Sequence, residues 1–388
     1  MNLLFITDFT EQFPYRLMRG ILDYAQETEP WTIFKMPPSH KNETGLEGVV
    51  KWASEHHIDV VIGQFDPADD VSMFGRCGIV AIAQDYISRF SSIPNITADY
   101  IGTGAMVAKR FLSRGFQNFA FFGYRGVCWS DERCEGFRAE VEKAGFGDNF
   151  YLYDRQQITN LWSYDSMSVT EWLLSLPKPI AIMGCDDNQA NLLLQICNAC
   201  DVKIPGEVSL VGVDNDEILC SMSSPSLSST NLDIERAGYE TAVMASRMVR
   251  EPSYRGEDII IRPLGIVSRM SSNVFATRDQ AILKALEFIG ANVDRKISVS
   301  DVLREVPLSR RLLEQRFIKA TGSSIYQYIT DLRMNRFAEL LLSSNESVAN
   351  IAAHMEEPDA KSISRRFQAV KGCTPSEFRK KELRKLRV

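Results

Sequence analysis

Two sets of polar side chains in this 388-residue sequence stand where their chemistry asks for a partner. The first set lies near the C-terminal end, where one pattern is written twice: SVSDVLREVPLSRRLLEQRF at 298–317 and SVANIAAHMEEPDAKSISRRF at 347–367. Each copy reads as a short helix, a break of three or four residues, and a second helix closing on a Phe. In the first copy Val299, Val302, Leu303 and Val306 make the apolar face, with Ser298 and Asp301 as a capping pair. Pro307 breaks the helix and Ser309 caps the next one. Leu313 and Phe317 then point inward at i, i+4, which leaves Arg310, Arg311, Glu314 and Gln315 facing outward. In the second copy Lys361, Ser362, Ser364 and Arg365 take the outward places. Arg grips the edge of guanine with two hydrogen bonds, Gln reads adenine, and Glu accepts from cytosine. A helix pair of this shape presents one helix to the major groove, so double-stranded DNA is the expected partner. The recurrence of one frame in two copies favours this over two solvated helix faces.

The second set sits upstream, at the carboxyl ends of predicted strands: Asp8, Asp66, Asp85, Asp186 and Asp214. A single Asp at a strand end more often caps a helix or solvates a loop. Five of them in a two-lobed frame describe a cleft, because ligands of open α/β sheets bind outside the carboxyl ends of the strands. A carboxylate accepts hydrogen bonds from adjacent hydroxyls, an Arg donates to ring and hydroxyl oxygens, and an aromatic face covers C–H groups. Trp129 and Arg133, just after a strand, supply the last two, so the ligand expected here is polyhydroxylated.

Such side chains need elements to hold them, and the periodicities supply these. Residues 2–7 (NLLFIT) form an apolar run, and Tyr15, Met18, Ile21, Leu22 and Ala25 follow at helical spacing. Trp31–Phe34, Val60–Gly63 and Gly78–Ile82 read as strands, with a helix within Gly45–His57. A second round opens with a helix capped by Asp99 that runs to about Arg114, then strand Asn118–Gly123 and helices Arg133–Ala144 and Ser168–Leu176. Strand Ile180–Gly184, helix Asn188–Cys200, strand Val208–Val213, helix Ile234–Val249 and a strand near Ile259–Arg262 complete it. Apolar strands alternating with helices imply parallel sheets covered on both faces. The expectation is two successive α/β halves over residues 1–270, a polar linker at 271–279, and an all-α domain at 280–388. Between the two copies Ser324–Leu342 reads as a helix of 19 residues. At 1.5 Å per residue such a helix spans roughly 28 Å, close to the ~34 Å between successive major grooves on one DNA face.

Composition narrows the classes. The length suggests two or three domains, and 45% hydrophobic with 24% charged residues is ordinary for a folded chain. No apolar run reaches the ~18 residues of a membrane span. The N-terminus turns acidic at Asp8 without a basic leader. The expected location is therefore the cytoplasm, with the eight cysteines reduced and no membrane partner. From Gln280 to Val388 there are 20 Lys/Arg and 13 Asp/Glu, a net of +7, so the chain's −6 leaves −13 for residues 1–279. A basic tail on an acidic body points to a polyanion met by the tail alone. Cys197-Asn-Ala-Cys200 lies mid-helix without a second ligand pair and reads as core. His56-His57 lacks an E-x-x-H context, and Asp69-Asp70 and Asp186-Asp187 read as solvated pairs. Gly102-Thr-Gly104 and Gly123-Tyr-Arg-Gly126 are neither dinucleotide nor phosphate-loop patterns, and no G-x-S-x-G carries a nucleophile. No enzyme, metal or cofactor is expected.

Several phrases go further. Residues 1–270 resemble the sugar-binding domain of LacI/GalR-type repressors and periplasmic binding proteins. The match lies in Asp99-Tyr-Ile-Gly-Thr-Gly104 with GFQNFAFFG at 115–123, Arg133-Cys-Glu-Gly-Phe-Arg138, Met183-Gly-Cys-Asp-Asp-Asn-Gln-Ala190, and IPGEVSLVGVDN at 204–215. This resemblance implies a two-lobed fold with effector contacts at Arg133, Asp186 and Asp214, and also at Asp85 and Asp8. Asp186 stands where the family has Asn, and the chain opens on its first strand instead of the family's N-terminal helix–turn–helix. The last hundred residues are similar to the AraC/XylS-type DNA-binding domain. The frames are Ser309…Leu313…Phe317, Ile351-Ala352, Ser364-Arg365-x-Phe367 and Gly372-x-Thr-Pro-Ser-x-Phe-Arg379. By that resemblance the base-reading positions are Arg311, Glu314, Gln315, Lys361, Ser362 and Arg365. Glu356-Glu357 replaces the family's Gly-Phe at the second turn, so the first copy is expected to dominate sequence reading.

A LacI-like domain followed by an AraC-like tail, with VGVDNDE at 211–217 and PSLSS at 225–229, resembles regulators of pentose catabolism. It implies a pentose effector, xylose first, transcription activation with RNA polymerase as a partner, and a homodimer. The competing readings are a soluble solute-binding protein without gene control, against which the basic tail counts, and a sugar-modifying enzyme.

Overall fold

The computed structural model describes residues 1–153, 166–273, 279–321, 323–343, 346–357 and 359–380. Its strands are β1 (Asn2–Ile6), β2 (Thr32–Met36), β3 (Val60–Gly63), β4 (Val80–Gln84), β5 (Asn95–Ala98), β6 (Phe119–Phe122), β7 (Phe150–Leu152), β8 (Ile180–Gly184), β9 (Val208–Val213), β10 (Ser228–Leu232), β11 (Ile259–Ile261) and β12 (Pro263–Val267). Two six-stranded sheets result, ordered β11-β5-β4-β3-β1-β2 and β12-β10-β9-β8-β6-β7. Every neighbouring pair is parallel except β10 and β12. β3, β6, β8 and β9 are buried along their whole length, as strands covered by helices on both faces must be.

The expected succession of two halves does not hold, because the lobes interleave. After β5 in the first sheet, the helix Tyr100–Ser113 packs on Cys128–Lys143 of the second lobe. After β10 in the second sheet, the helix Ile234–Arg250 returns to pack on Gln12–Glu27 of the first. β11 then joins the first sheet and β12 the second. The crossing segments lie side by side, with Asp99 N–H donating to Ile261 O at 2.9 Å and Asp233 N–H to Arg262 O at 3.0 Å. Glycine makes both helix pairs possible. A Cβ on Gly20 would stand 1.8 Å from the Glu235 carbonyl oxygen, and one on Gly104 2.0 Å from that of Arg133. Gly104 of DYIGTG and Gly136 of RCEGF therefore serve helix packing.

Four strands escaped the periodicity: β5, β7, β10 and β12. β10 shows why, since Ser228, Ser229 and Thr230 are fully buried yet polar. Ser228 Oγ donates to Arg269 O at 3.0 Å and Ser229 Oγ accepts from Asn215 N at 2.9 Å, which offsets their desolvation.

The described chain forms two compact units, Met1–Asn273 and Val274–Val388. The expected linker at 271–279 begins inside the first unit. Ser271 and Ser272 are buried there, and Ser271 Oγ donates to Leu210 O at 2.7 Å. Residues 274–278 of that segment lie outside the described residues. The second unit holds helices Gln280–Ala291, Val299–Glu305, Arg310–Thr321, Ile325–Ser343, Val348–His354 and Ala360–Lys371. Its apolar residues fall into two clusters that divide the long helix: Ile325, Tyr328, Ile329 and Leu332 join the first, and Met334, Phe337, Ala338 and Leu341 the second. Beyond them the expected capping box closes, with Thr374 N donating to Glu377 Oε2 at 2.9 Å. Among the described residues no helix is long and apolar enough to cross a membrane.

Candidate ligand cleft and nucleic-acid interface

The second lobe supplies one wall of the cleft. Arg133, one turn into the helix Cys128–Lys143, is buried. Its Nη1 donates to Cys185 O at 2.5 Å and its Nη2 to Asp214 Oδ1 at 3.3 Å. The guanidinium stands 5.2 Å from the Tyr100 ring centre and 5.3 Å from that of Trp129, so two aromatic faces hold it by cation–π attraction. Asp214, at the end of β9, has φ of 97°, a conformation that non-glycine residues hold only when their surroundings enforce it. Arg16 of the first lobe helps to enforce it by donating Nη1 to Asp214 O at 2.9 Å. Asp186 caps the helix Asp187–Ala199, accepting from Gln189 N at 2.7 Å. Asp186 is thus a helix cap that also lines the crevice between the lobes. Tyr124 joins the wall, its hydroxyl accepting from Gln189 Nε2 at 2.5 Å.

The first lobe supplies the other wall, and here the expected acids are already partnered. Asp85 is buried at the end of β4, with Arg89 Nε 3.1 Å from its Oδ2, while burial pushes its pKa up. Arg89 reaches on to Glu132 of the second lobe at 2.6 and 2.8 Å. Asp66 and Asp69 both accept from Lys41 Nζ at 2.6 Å, and Lys41 is only 6% exposed. Asp8 folds back on its own loop, accepting from Thr10 N at 2.9 Å. Asp85 Oδ1 and Arg133 Nε are buried with no hydrogen-bond partner among the described residues. Buried polar atoms left this way are costly, and hydroxyls of a ligand satisfy both an acceptor and a donor.

Glu11 had no place among the sequence-expected residues. It lies in the loop after β1, and with Gln12, Phe13, Asp186, Asp187, Asn188, Asp214, Asp216 and Leu219 it lines a crevice between the lobes. Asn188 Nδ2 of the second lobe donates to Glu11 Oε1 at 3.1 Å. Burial first, and then the carboxylates of Asp186, Asp214, Asp8 and Asp216, push the Glu11 pKa up to about 8. Burial likewise lifts Asp186 to about 6. A carboxyl raised in this way binds more protons folded than unfolded, so its stability contribution falls as pH rises from its ordinary value of 4.5 to about 8. The melting temperature of the chain is therefore expected to drop as pH rises between about 4.5 and 8, and Glu11→Gln to flatten that slope. Equal slopes in a thermal-unfolding series of both proteins would remove Glu11 from this role.

In the second unit the capping box of Ser298 and Asp301 forms as expected, with Val302, Val306, Leu313 and Phe317 buried. Arg310, Arg311 and Gln315 are exposed on the helix Arg310–Thr321. Glu314 is half-buried, its Oε2 3.4 Å from Ile325 N at the start of the long helix. In the second copy Lys361 and Arg365 are exposed and Ser362 half-buried. Ser364 donates its hydroxyl to Ala360 O at 2.7 Å, within its own helix. The long helix Ile325–Ser343 has 19 residues, about 28 Å at 1.5 Å per residue.

Comparison with known proteins finds similarity in both parts of the chain. Residues 108–272 match the model of a periplasmic binding protein-like domain, and residues 302–381 that of a helix-turn-helix domain. The xylose operon regulatory protein of Haemophilus influenzae is 28% identical over 333 residues, 83% of this chain and 85% of that one. That of Escherichia coli K12 is 26% identical over 381 residues, 94% of this chain and 93% of that one. In fold, the structure of the xylose-binding transcription activator xylR superposes with a TM-score of 0.67 at 21% identity, covering 98% of this chain and 97% of that one. A LacI family regulator from Enterococcus faecium with bound ribose covers 70% of this chain and 98% of its own, with a TM-score of 0.57 at 18% identity. The chain thus joins a periplasmic binding protein-like domain to a helix-turn-helix domain, and over most of its length it is similar to xylose operon regulatory proteins.

Proposed function

We propose that the protein senses a pentose, xylose first, in the cleft of its first unit and activates transcription of pentose catabolic genes. The observation that carries this is Arg133: it is paired with Asp214, flanked by Tyr100 and Trp129, and set at the strand ends of a two-lobed cleft in a chain that also holds two helix–turn–helix frames. The relatives named for the xylose operon support the choice of sugar. Closure of the lobes on the sugar changes how the DNA-binding units are presented, and it does so only because sugar binds one arrangement better than the other. The protein acts in the cytoplasm as a homodimer, with promoter DNA and RNA polymerase as partners. A thermal-shift screen of monosaccharides tests the reading, since a ligand that binds only the folded state raises the melting temperature by mass action. A shift with a hexose and none with any pentose would overturn the pentose assignment.

The exposed side chains of the first recognition helix, Arg310, Arg311 and Gln315, read bases, joined in the second by Lys361, Ser362 and Arg365. Arg311→Ala is expected to weaken binding to the selected operator by about 1–3 kcal/mol and to relax one base preference. Anisotropy titrations against single-base operator variants check this. An equal loss on every duplex would make Arg311 a phosphate contact.

A further inference from the structure

The turn of the second helix–turn–helix carries a charged pair where the resembled family has Gly-Phe, and the structure shows what that pair does. Glu356 takes the left-handed conformation with φ of 53°, the one a glycine there would adopt. Glu357 is 4% exposed, and its carboxylate is ringed by cations. Arg366 Nη2 of the second recognition helix lies 2.8 Å away, Lys296 Nζ 3.2 Å and Arg333 Nη1 3.3 Å. Each cation comes from a different part of the unit. Lys296 belongs to the loop between Gln280–Ala291 and Val299–Glu305 in the first half. Arg333 sits on the long helix between Leu332 of the first apolar cluster and Met334 of the second, and its Nη2 also donates to Met355 O at 2.6 Å. Two more contacts run alongside: Arg295 with Glu356 at 3.5 Å, and Arg336 with Asp294 at 2.9 Å.

Among the described residues the two apolar clusters share no residue, and the halves are joined by one helix, by this ionic bridge and by the two contacts beside it. A long helix curves and flexes on its own, and one helix does not fix the angle between two small cores. A buried carboxylate with three cations does, because moving either half strands a charge in a poorly solvated place. We propose that Glu357, through Lys296 and Arg333, is a positioning residue that fixes the angle between the two recognition helices and so sets the one spacing of DNA subsites the chain accepts. This rests on the reading that both halves enter major grooves.

The test is selection of bound duplexes from a random-sequence library by the full chain, compared with Glu357→Gln, Lys296→Gln and Lys296→Arg. The wild type is expected to enrich a two-part motif with one spacing, and to bind a duplex lengthened by one base pair between the parts about tenfold more weakly. Glu357→Gln and Lys296→Gln should enrich both parts over two or more spacings, with that penalty reduced to about threefold or less, while Lys296→Arg keeps the wild-type behaviour. Lys296 is 55% exposed, so its variants carry the test if Glu357→Gln fails to fold. A purely stabilising role would lower the melting temperature and leave the spacing unchanged. The proposal is overturned if both Gln variants keep one spacing and the full penalty. It is overturned together with the two-groove reading if the wild type enriches only a single subsite.

Discussion

Arg133→Ala is expected to abolish sugar binding by the first unit, weakening it by at least about a hundredfold, while DNA affinity in the absence of sugar stays intact. The guanidinium donates charge-assisted hydrogen bonds, each worth about 1.5–3 kcal/mol when the acceptor is well placed. It is rigid before any ligand arrives, held by Cys185 O, Asp214, and the rings of Tyr100 and Trp129. A preorganised group loses little entropy on binding, so its removal costs more than a mobile arginine's would. The substitution also leaves Asp214 without its cation in a crevice it shares with Glu11, Asp186 and Asp216. Asp214→Ala should have the same outcome from the other side, by freeing Arg133 from its fixed pose. Calorimetry with the sugar found by thermal-shift screening checks both variants, and a retained melting transition excludes loss of fold. Unchanged affinity in both would sink this site.

Features carried by local pattern were legible in the sequence, and features made by distant partners were not. The central strands read clearly because their apolar runs are short and end in turn residues, as in β3 and β8. The helix–turn–helix pair read clearly because caps, breaks and inward residues repeat in one frame, from Ser298 to Phe317 and from Ser347 to Phe367. The strand-end acids pointed to the right edge of each sheet, yet not to their partners. Lys41 is buried only because Asp66 and Asp69 meet it after 25 and 28 residues of chain. Arg89 crosses between lobes to Glu132, 43 residues on. No composition or periodicity announces such pairs, since a lysine or arginine in isolation predicts exposure. Glu11 was missed for the same reason: its environment is built by Asp186, Asp214 and Asp216 from the other lobe.

The interleaving of the lobes has a similar cause. β10 is a strand of serine, threonine and asparagine, and its polarity hid both the strand and the return crossing that follows it. Glu356-Glu357 is the sharpest case. Taken singly, a charged pair at a turn that elsewhere carries glycine and phenylalanine predicts a weakened second copy. The structure closes that turn with Glu356 in the glycine-like conformation and Glu357 among three cations. Lys296 is one of them, and Glu357 cannot be interpreted without it. The pair is compensated there from the other half of the unit, which no local rule registers.

Phe317→Ala is expected to destabilise the first helix–turn–helix by about 3–5 kcal/mol and to abolish specific DNA binding, with sugar binding unchanged. Phe317 has no exposed surface and closes the first recognition helix onto Tyr328 of the long helix, with ring centres 5.5 Å apart at 73°. That contact joins the helix presenting Arg311 to the helix shared by both halves. Val302, Leu313, Ile325 and Ile329 are buried in the same cluster, and because protein interiors are close-packed, loss of the ring leaves a cavity there. A loss of this size is a large share of the stability of a domain of about a hundred residues, typically 5–15 kcal/mol in total. The first unit has its own clusters, around Leu4 and Phe65 in one lobe and Phe122 and Leu193 in the other, and none includes Phe317. Sugar affinity measured by calorimetry should therefore match the wild type, while anisotropy shows no specific complex. Unfolding followed at the second unit should separate from that of the first and move to lower temperature. A variant that still bound its operator specifically would mean that the first copy is dispensable and that base reading rests on Lys361 and Arg365 in the second. That is the reverse of the order expected from Glu356-Glu357, and this one substitution distinguishes the two.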